Sequence, residues 1–214
     1  MMATSPAEGF FEDSGFVSRE TWDKLRLYAD MVRKWQPSIN LISPKTLPAL
    51  WDRHVLDSLQ LFRLRPESLT WVDMGSGAGF PGLVTAIGLA EHGGGWVHLV
   101  ESNNKKAAFL RQAIAKTGAR ASVHPIRMET AADVLEGIDA VSARALAPLT
   151  DLLAYALPFA TINPALELWF HKGLDYPEEV RSARDLWCFD LIEHPSLARD
   201  GSAILQISNL SKRN

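Results

Sequence analysis

The stretch Trp71-Val72-Asp73-Met74-Gly75-Ser76-Gly77-Ala78-Gly79-Phe80-Pro81-Gly82 decides how the rest of this chain is read. An apolar run holding one Asp is followed by three glycines at alternate positions. From Leu83 to Leu89 apolar residues then recur at helical spacing. The pattern predicts a strand, a tight turn and a helix, with Pro81 at the first helical position, where a missing N–H loses no bond. Glycine suits such a turn because it reaches positive φ without a Cβ clash and lets a ligand approach the backbone. A nucleotide-like ligand at the start of the helix is the first expectation; a turn that binds nothing is the plain alternative.

Gly77, Gly79 and Gly82 also fit the dinucleotide fingerprint G-x-G-x-x-G, which is weak evidence by itself. Asp73 shifts the balance. A carboxylate just before the first glycine repels a pyrophosphate and attracts an ammonium group of the methionine type. The order hydrophobic-Asp-hydrophobic-Gly-x-Gly-x-Gly resembles that of S-adenosylmethionine-dependent methyltransferases. A nicotinamide-dependent oxidoreductase is the rival enzyme class, disfavoured by Asp73 and by the lack of a suitable acid at a hydride site.

With 214 residues, 47% of them apolar, the chain can bury one sizeable core. Its single cysteine, Cys188, cannot form an internal disulfide, and the six histidines show no ligand spacing, so neither a disulfide nor a metal is expected. Met1 to Ser14 lacks a basic segment followed by an apolar one, and the uncharged run Leu152 to Leu166 is too short to span a bilayer. The expectation is a cytoplasmic protein that binds no membrane; its oligomeric state is left open, with a monomer favoured. The net charge of −3 argues against indiscriminate binding of nucleic acid. Yet Ser102 to Met128 holds six basic residues and no acidic one. That segment is either a local site for a polyanion or a solvated helix face.

Helical periodicity from a Ser18 cap should run to about Trp35 and stop before Pro37. A second helix is expected from near Thr46 through Phe62. Strands and helices then alternate, as in a parallel sheet covered on both faces. The strands are Trp71–Met74, Trp96–Val100, Ala121–Ile126, Ile138–Ala143 and Leu166–Phe170, with Trp187–Ile192 and Ala203–Ile207 as a final antiparallel pair. The fold expected is therefore a doubly wound, mostly parallel seven-stranded α/β sheet, Rossmann-like. Residues 1–17 are read as a flexible tail, 18–66 as a helical cap and 67–214 as the core, cap and core forming one structural unit.

Asp73, Glu101, Glu129, Arg144 and Lys172 each fall at or just past the carboxyl end of an expected strand, where α/β sheets bind ligands. Glu101 can accept two ribose hydroxyls, or cap the next helix. Glu129 can accept an adenine amine, with Met128 packed on the ring or simply filling the core. Phe80 can wall the cleft. Arg144 suits a carboxylate or a guanine O6/N7 edge.

More of the chain carries a specific resemblance. Trp35 with Asn40-Leu41, Arg53-His54-Val55-Leu56-Asp57-Ser58, the Gly loop through Phe80-Pro81-Gly82, Lys106 with Phe109-Leu110, Arg127-Met128-Glu129, Ser142-Ala143-Arg144-Ala145 and Lys172-Gly173 occur in one order. In that order they resemble the ribosomal RNA small-subunit methyltransferase G family, also called glucose-inhibited division protein B. The resemblance implies a class I fold binding S-adenosylmethionine and methylation of a guanine N7 in 16S ribosomal RNA or the small ribosomal subunit. It implies cofactor contacts from Gly75, Phe80, Met128, Glu129 and Arg144, to which position adds Asp73, Gly77, Gly79 and Glu101. Arg144 and Lys172 are then candidates to position the guanine, with no general base. Arg53, His54, Lys105, Lys106 and Arg111 are candidates to hold RNA, although Arg53 and His54 also fit a packing pair with Asp57. Two departures stand out: Ala78 replaces a frequent Pro, and Glu101 a frequent Asp. A ribosome-associated binding module without catalysis is the non-enzyme alternative.

Overall fold

The computed structural model describes residues 15–67 and 69–213. Most of the tail expected over 1–17 lies outside the described residues. Its last part is packed: Val17 is buried, and the Phe16 ring lies 5.6 Å from that of Phe62.

Helix α1 (Arg19–Ile39) starts at Ser18, whose hydroxyl accepts the Thr21 N–H. It runs through Pro37 and does not stop before it. Pro37 is exposed in the last turn, where its missing N–H leaves only a carbonyl that water can reach. Asn40, at φ 50, ends the helix by donating its N–H to the Gln36 carbonyl. The expected second helix has three geometries in succession: a 3-10 turn (Pro44–Ala49), a π turn (Trp51–Leu56) and α2 (Asp57–Leu64).

The remaining elements are β1 (Thr70–Met74), α3 (Gly82–His92), β2 (Trp96–Val100), α4 (Asn104–Thr117), β3 (Ala121–His124), a 3-10 turn (Met128–Asp133), β4 (Ala140–Arg144), α5 (Leu149–Ile162), β5 (Glu167–Lys172), α6 (Tyr176–Arg184), β6 (Trp187–Pro195) and β7 (Ala203–Lys212). They form one seven-stranded sheet of order β3-β2-β1-β4-β5-β7-β6. β1 to β5 are parallel, and β7 pairs antiparallel with both β5 and β6. The chain leaves β1 towards β2 and β3, then returns to β1's other side for β4. This makes β1/β4 the switch point, beyond whose carboxyl ends such sheets bind ligands. Pro81, joined to Phe80 by a cis peptide, caps α3 and is not its first residue.

Alternation along the strands sends side chains to two cores. Trp71, Val97, Leu99, Ala140 and Trp169 pack with α1 to α4, whereas Val72, Met74, Val141, Ala143 and Phe170 pack with α5 and α6. Asp73, Ser142, Arg144 and His171 share the parity of the first set, and Lys172 that of the second. No helix among the described residues is long and apolar enough to cross a membrane.

Candidate active site

Past the carboxyl ends of β1, β2 and β4 lies a cavity of about 700 Å³. That volume is within the ordinary range for a small-molecule site. Its floor is the Gly loop, with Gly75 and Gly77 at φ 61 and 57. A Cβ at Gly75 would also stand 2.5 Å from Cδ1 of the exposed Leu146, a side chain that would have to turn away. Three of the loop's N–H groups are engaged within the protein. Ser76 donates to the Val100 carbonyl, Gly77 to Glu101 Oε2 at 2.9 Å, and Gly79 to the Ser76 carbonyl. Glu101 is 8% exposed; its Oε1 accepts the Asn103 N–H at 2.7 Å, which leaves lone pairs on both oxygens for a ligand. Met128 and Glu129 line the same cavity from the 3-10 turn after β3. These residues assemble as the sequence expects.

Phe80 is buried on the cavity wall between two rings, each centroid 5.2 Å away: Tyr28 of α1 and His54 of the π turn. The Tyr28 hydroxyl donates to the Ala78 carbonyl at 2.7 Å, so a helix from the cap holds the loop. Sequence reasoning missed Tyr28, whose spacing marked it only as a core position of α1. It also missed Thr46, Tyr155 and Leu146, which are among the lining residues.

His54 has a determined tautomer. Arg144 has only donors, and its Nη2 lies 3.0 Å from His54 Nδ1, so Nδ1 accepts and Nε2 carries the proton towards Thr46 Oγ1 at 2.9 Å. Thr46 in turn donates to the Ser43 carbonyl. Burial, reinforced by the Arg144 charge, lowers the His54 pKa to about 3. The ring is neutral at physiological pH and both of its nitrogens are engaged within the protein, so His54, a candidate to hold RNA, offers a phosphate no positive charge.

Three other expectations change. Asp73 is fully buried behind the loop and does not line the cavity. Its Oδ1 accepts the Ser142 hydroxyl at 2.6 Å from the neighbouring position of β4. Oδ2 lies against the Gly82 backbone without a well-aligned partner. A Cβ at Gly82 would stand 2.5 Å from the Asp73 side chain, so this glycine serves the carboxylate and not a ligand. Burial pushes the Asp73 pKa up to about 6, restrained by the Ser142 and Ser76 hydroxyls and the Gly82 backbone. A raised folded-state pKa gives stability that is present below about 3.8, the unfolded value, and is lost as pH rises through 6. Asp73→Asn is therefore expected to gain up to about 3 kcal/mol on the wild type between pH 4 and pH 7. Urea midpoints of both proteins across that range check this; a constant difference would contradict it.

Arg144 sits on the cavity edge, but its guanidinium turns to the π turn. It donates to the Arg53 and His54 carbonyls and pairs with Asp57 at 3.4 Å. The geometry makes it a clamp between β4 and the cap, not an open fork for guanine. Lys172, on the opposite face, pairs with Glu179 at 2.5 Å and donates to the Ala147 carbonyl. It lines a second cavity and not this one.

The basic residues of α4 also separate. Lys106 reaches the mouth of the first cavity, while Lys105 and Arg111 are exposed on the helix's outer side. At 100° per residue they do not form one stripe with Lys106. Among the described residues no group of three or more His, Cys, Asp or Glu could hold a metal ion.

Residues 21–205 match the family model described as rRNA small subunit methyltransferase G. A protein named "Ribosomal RNA small subunit methyltransferase G" from Sinorhizobium fredii is 55% identical over 213 residues, 99% of each chain. Its namesake from Rhizobium meliloti is 56% identical, covering 92% of this chain and 93% of its own. Among solved structures, Aeropyrum pernix fibrillarin with natively bound S-adenosyl-L-methionine superposes with a TM-score of 0.53 at 16% identity, over 73% of this chain and 75% of its own. Cofactor-bound Rv0187 from MTB gives 0.58 at 15% identity, over 97% and 99%. These two likenesses speak for the fold; the sequence matches go further. With a match over most of its length and relatives more than half identical, the chain belongs to the rRNA small subunit methyltransferase G family.

Proposed function

We propose that this chain transfers the methyl group of S-adenosylmethionine to N7 of a guanine in 16S ribosomal RNA of the small subunit. The observation that carries the choice of methyl donor is the Glu101 carboxylate on the Gly77 N–H. A pyrophosphate would need that N–H and would meet a negative charge beside it, so a nicotinamide dinucleotide is opposed at the point where its fingerprint would bind it. A nucleoside with free ribose hydroxyls is favoured there by the same carboxylate. The cavity's volume, the apolar Met128 and the acidic Glu129 suit an adenosyl group.

When bound, the cofactor supplies an electrophilic methyl on a sulfonium. Guanine N7 has a free lone pair and no proton, so its attack needs no general base, and none of the cavity's groups has to serve as one. The protein's task is to hold the acceptor in line and to exclude water, an orientation effect of about 7–11 kcal/mol in favourable cases. Phe80, fixed between Tyr28 and the neutral His54, gives that cleft an apolar wall whose charge does not change near neutrality. Lys106, which lines the cavity, is the basic residue of this helix placed to meet an RNA strand, whereas Lys105 and Arg111 project from other sides of the helix.

In this reading residues 18–66 act with 67–214 as one unit, because α1 and the π turn supply one wall of the site. Methyl transfer from labelled S-adenosylmethionine to small-subunit RNA lacking the modification, followed by mapping of the labelled base, tests the function. Label at guanine N7 is the expected result, and no transfer would leave only a binding module.

A further inference from the structure

The second cavity, of about 320 Å³, shares Arg144 and Ala145 with the first and is otherwise lined by other residues. Four cations line it: Arg53, Arg144, Lys172 and Arg199. Two acids answer two of these, Asp57 paired with Arg144 and Glu179 paired with Lys172. Among the described residues no hydrogen bond or ion pair engages the guanidinium of Arg53 or of Arg199. The cavity therefore carries two uncompensated, forked cations next to the proposed methyl-transfer site.

Arg199 lies in the connection between β6 and β7, and that connection is held with more buried polar groups than a free loop needs. Gln60 of α2, 5% exposed, donates to the Pro195 carbonyl and accepts the Leu197 N–H, both at 2.8 Å. The Ser196 hydroxyl donates to Asp57 Oδ1 at 2.9 Å. Within the turn, Ser196 N–H bonds to the Ser202 carbonyl, and Ser202 N–H to that of Arg199. Asp57 thus ties both the Arg144 clamp and the Arg199 turn to the start of α2. Fixing a turn this way spends the ordering entropy before any ligand arrives.

We infer that this second cavity is a phosphodiester subsite: Arg53 and Arg199 grip one backbone phosphate of the RNA strand whose guanine enters the first cavity. Guanidinium forks match phosphate oxygens in charge and in geometry. The shared wall at Arg144 and Ala145 makes the two cavities consecutive along a strand. The inference rests on the RNA methyltransferase reading above and adds to it a site and a residue, Arg199, outside every motif the sequence singled out.

The test uses the full chain and unmethylated small-subunit RNA, with R53Q, R199Q and the double variant. With both guanidiniums on one phosphate, the double variant should flatten the log–log salt dependence of RNA binding by about 0.7–0.9 in total and each single variant by part of that, with binding weakened in all three near 0.1 M salt. The KM for RNA in methyl transfer should rise more than kcat falls. Affinity for S-adenosylmethionine, read by calorimetry, serves as control and should stay within about twofold, since neither Arg lines the cofactor cavity. Neither guanidinium makes an internal bond, so the variants should unfold at the wild-type urea midpoint. A wild-type salt slope and KM in the double variant would overturn the inference. If the wild-type protein neither binds nor methylates the RNA, the RNA methyltransferase reading itself falls, which is a different result.

Discussion

Arg144→Ala is expected to lower the unfolding free energy by about 3 kcal/mol, measured by urea denaturation at neutral pH. The guanidinium joins β4 to the π turn through two backbone carbonyls, His54 Nδ1 and the Asp57 carboxylate. Removing one partner of a largely buried pair costs about 3–5 kcal/mol, because the other charge remains without its counter-ion. The lower end applies here, since Asp57 keeps the Ser196 hydroxyl. Arg144→Lys should recover part of the loss, because an ammonium can answer Asp57 but cannot span both carbonyls as a planar fork does. The competing role, direct contact with cofactor or guanine, predicts a different pattern: little change in stability and a large loss of ligand affinity. Measuring both quantities on both variants separates the two.

The second large effect is on cofactor binding. Glu101→Ala should weaken S-adenosylmethionine by about 1.5–3 kcal/mol, the range for hydrogen bonds to a charged group, which calorimetry would read as roughly a ten- to hundredfold rise in Kd. Part of that loss is indirect. The substitution also strips the Gly77 and Asn103 N–H groups of their acceptor, so the loop loses a support that fixes its path. Glu101→Gln retains an acceptor oxygen and should fall between the two. Unchanged affinity in the Ala variant would remove Glu101 from the site.

Most of the sheet could be read from the sequence because its signals are local. Glycines at positive φ, Asn103 and Gly118 at the two ends of α4, and apolar strands between turn residues act within a few positions of themselves. The loop, Glu101, Met128 and Glu129 come together for the same reason: they follow consecutive strands at one end of the sheet. The errors share a cause as well. Position along the strands alone sets Asp73, Arg144 and Lys172 on one rim, but the alternation of side chains decides which way each points. By parity, Asp73 faces α3, Arg144 faces the cap and Lys172 faces α5 and α6, so Arg144 and Lys172 cannot meet over one guanine in the first cavity. That much was available in the sequence once the strand ends were fixed. The contributions of Tyr28, Thr46 and the Arg199 turn were not, since each depends on a contact between segments remote in the chain. The π turn was also beyond reach, because nothing in Trp51 to Leu56 departs from an ordinary helical pattern.

The buried carboxylate behind the Gly loop changes how an acidic inflection in this protein should be assigned. A transition near pH 6 is habitually given to a histidine losing its positive charge. Here the histidine on the cavity wall is already neutral there, while Asp73 titrates at about 6. Raising the pH through that point adds a negative charge behind the loop that borders the cavity. The direction of the charge change is the same in both cases, but the states differ: a histidine would pass from positive to neutral and only cease to repel a cation, whereas Asp73 passes from neutral to negative and begins to attract one.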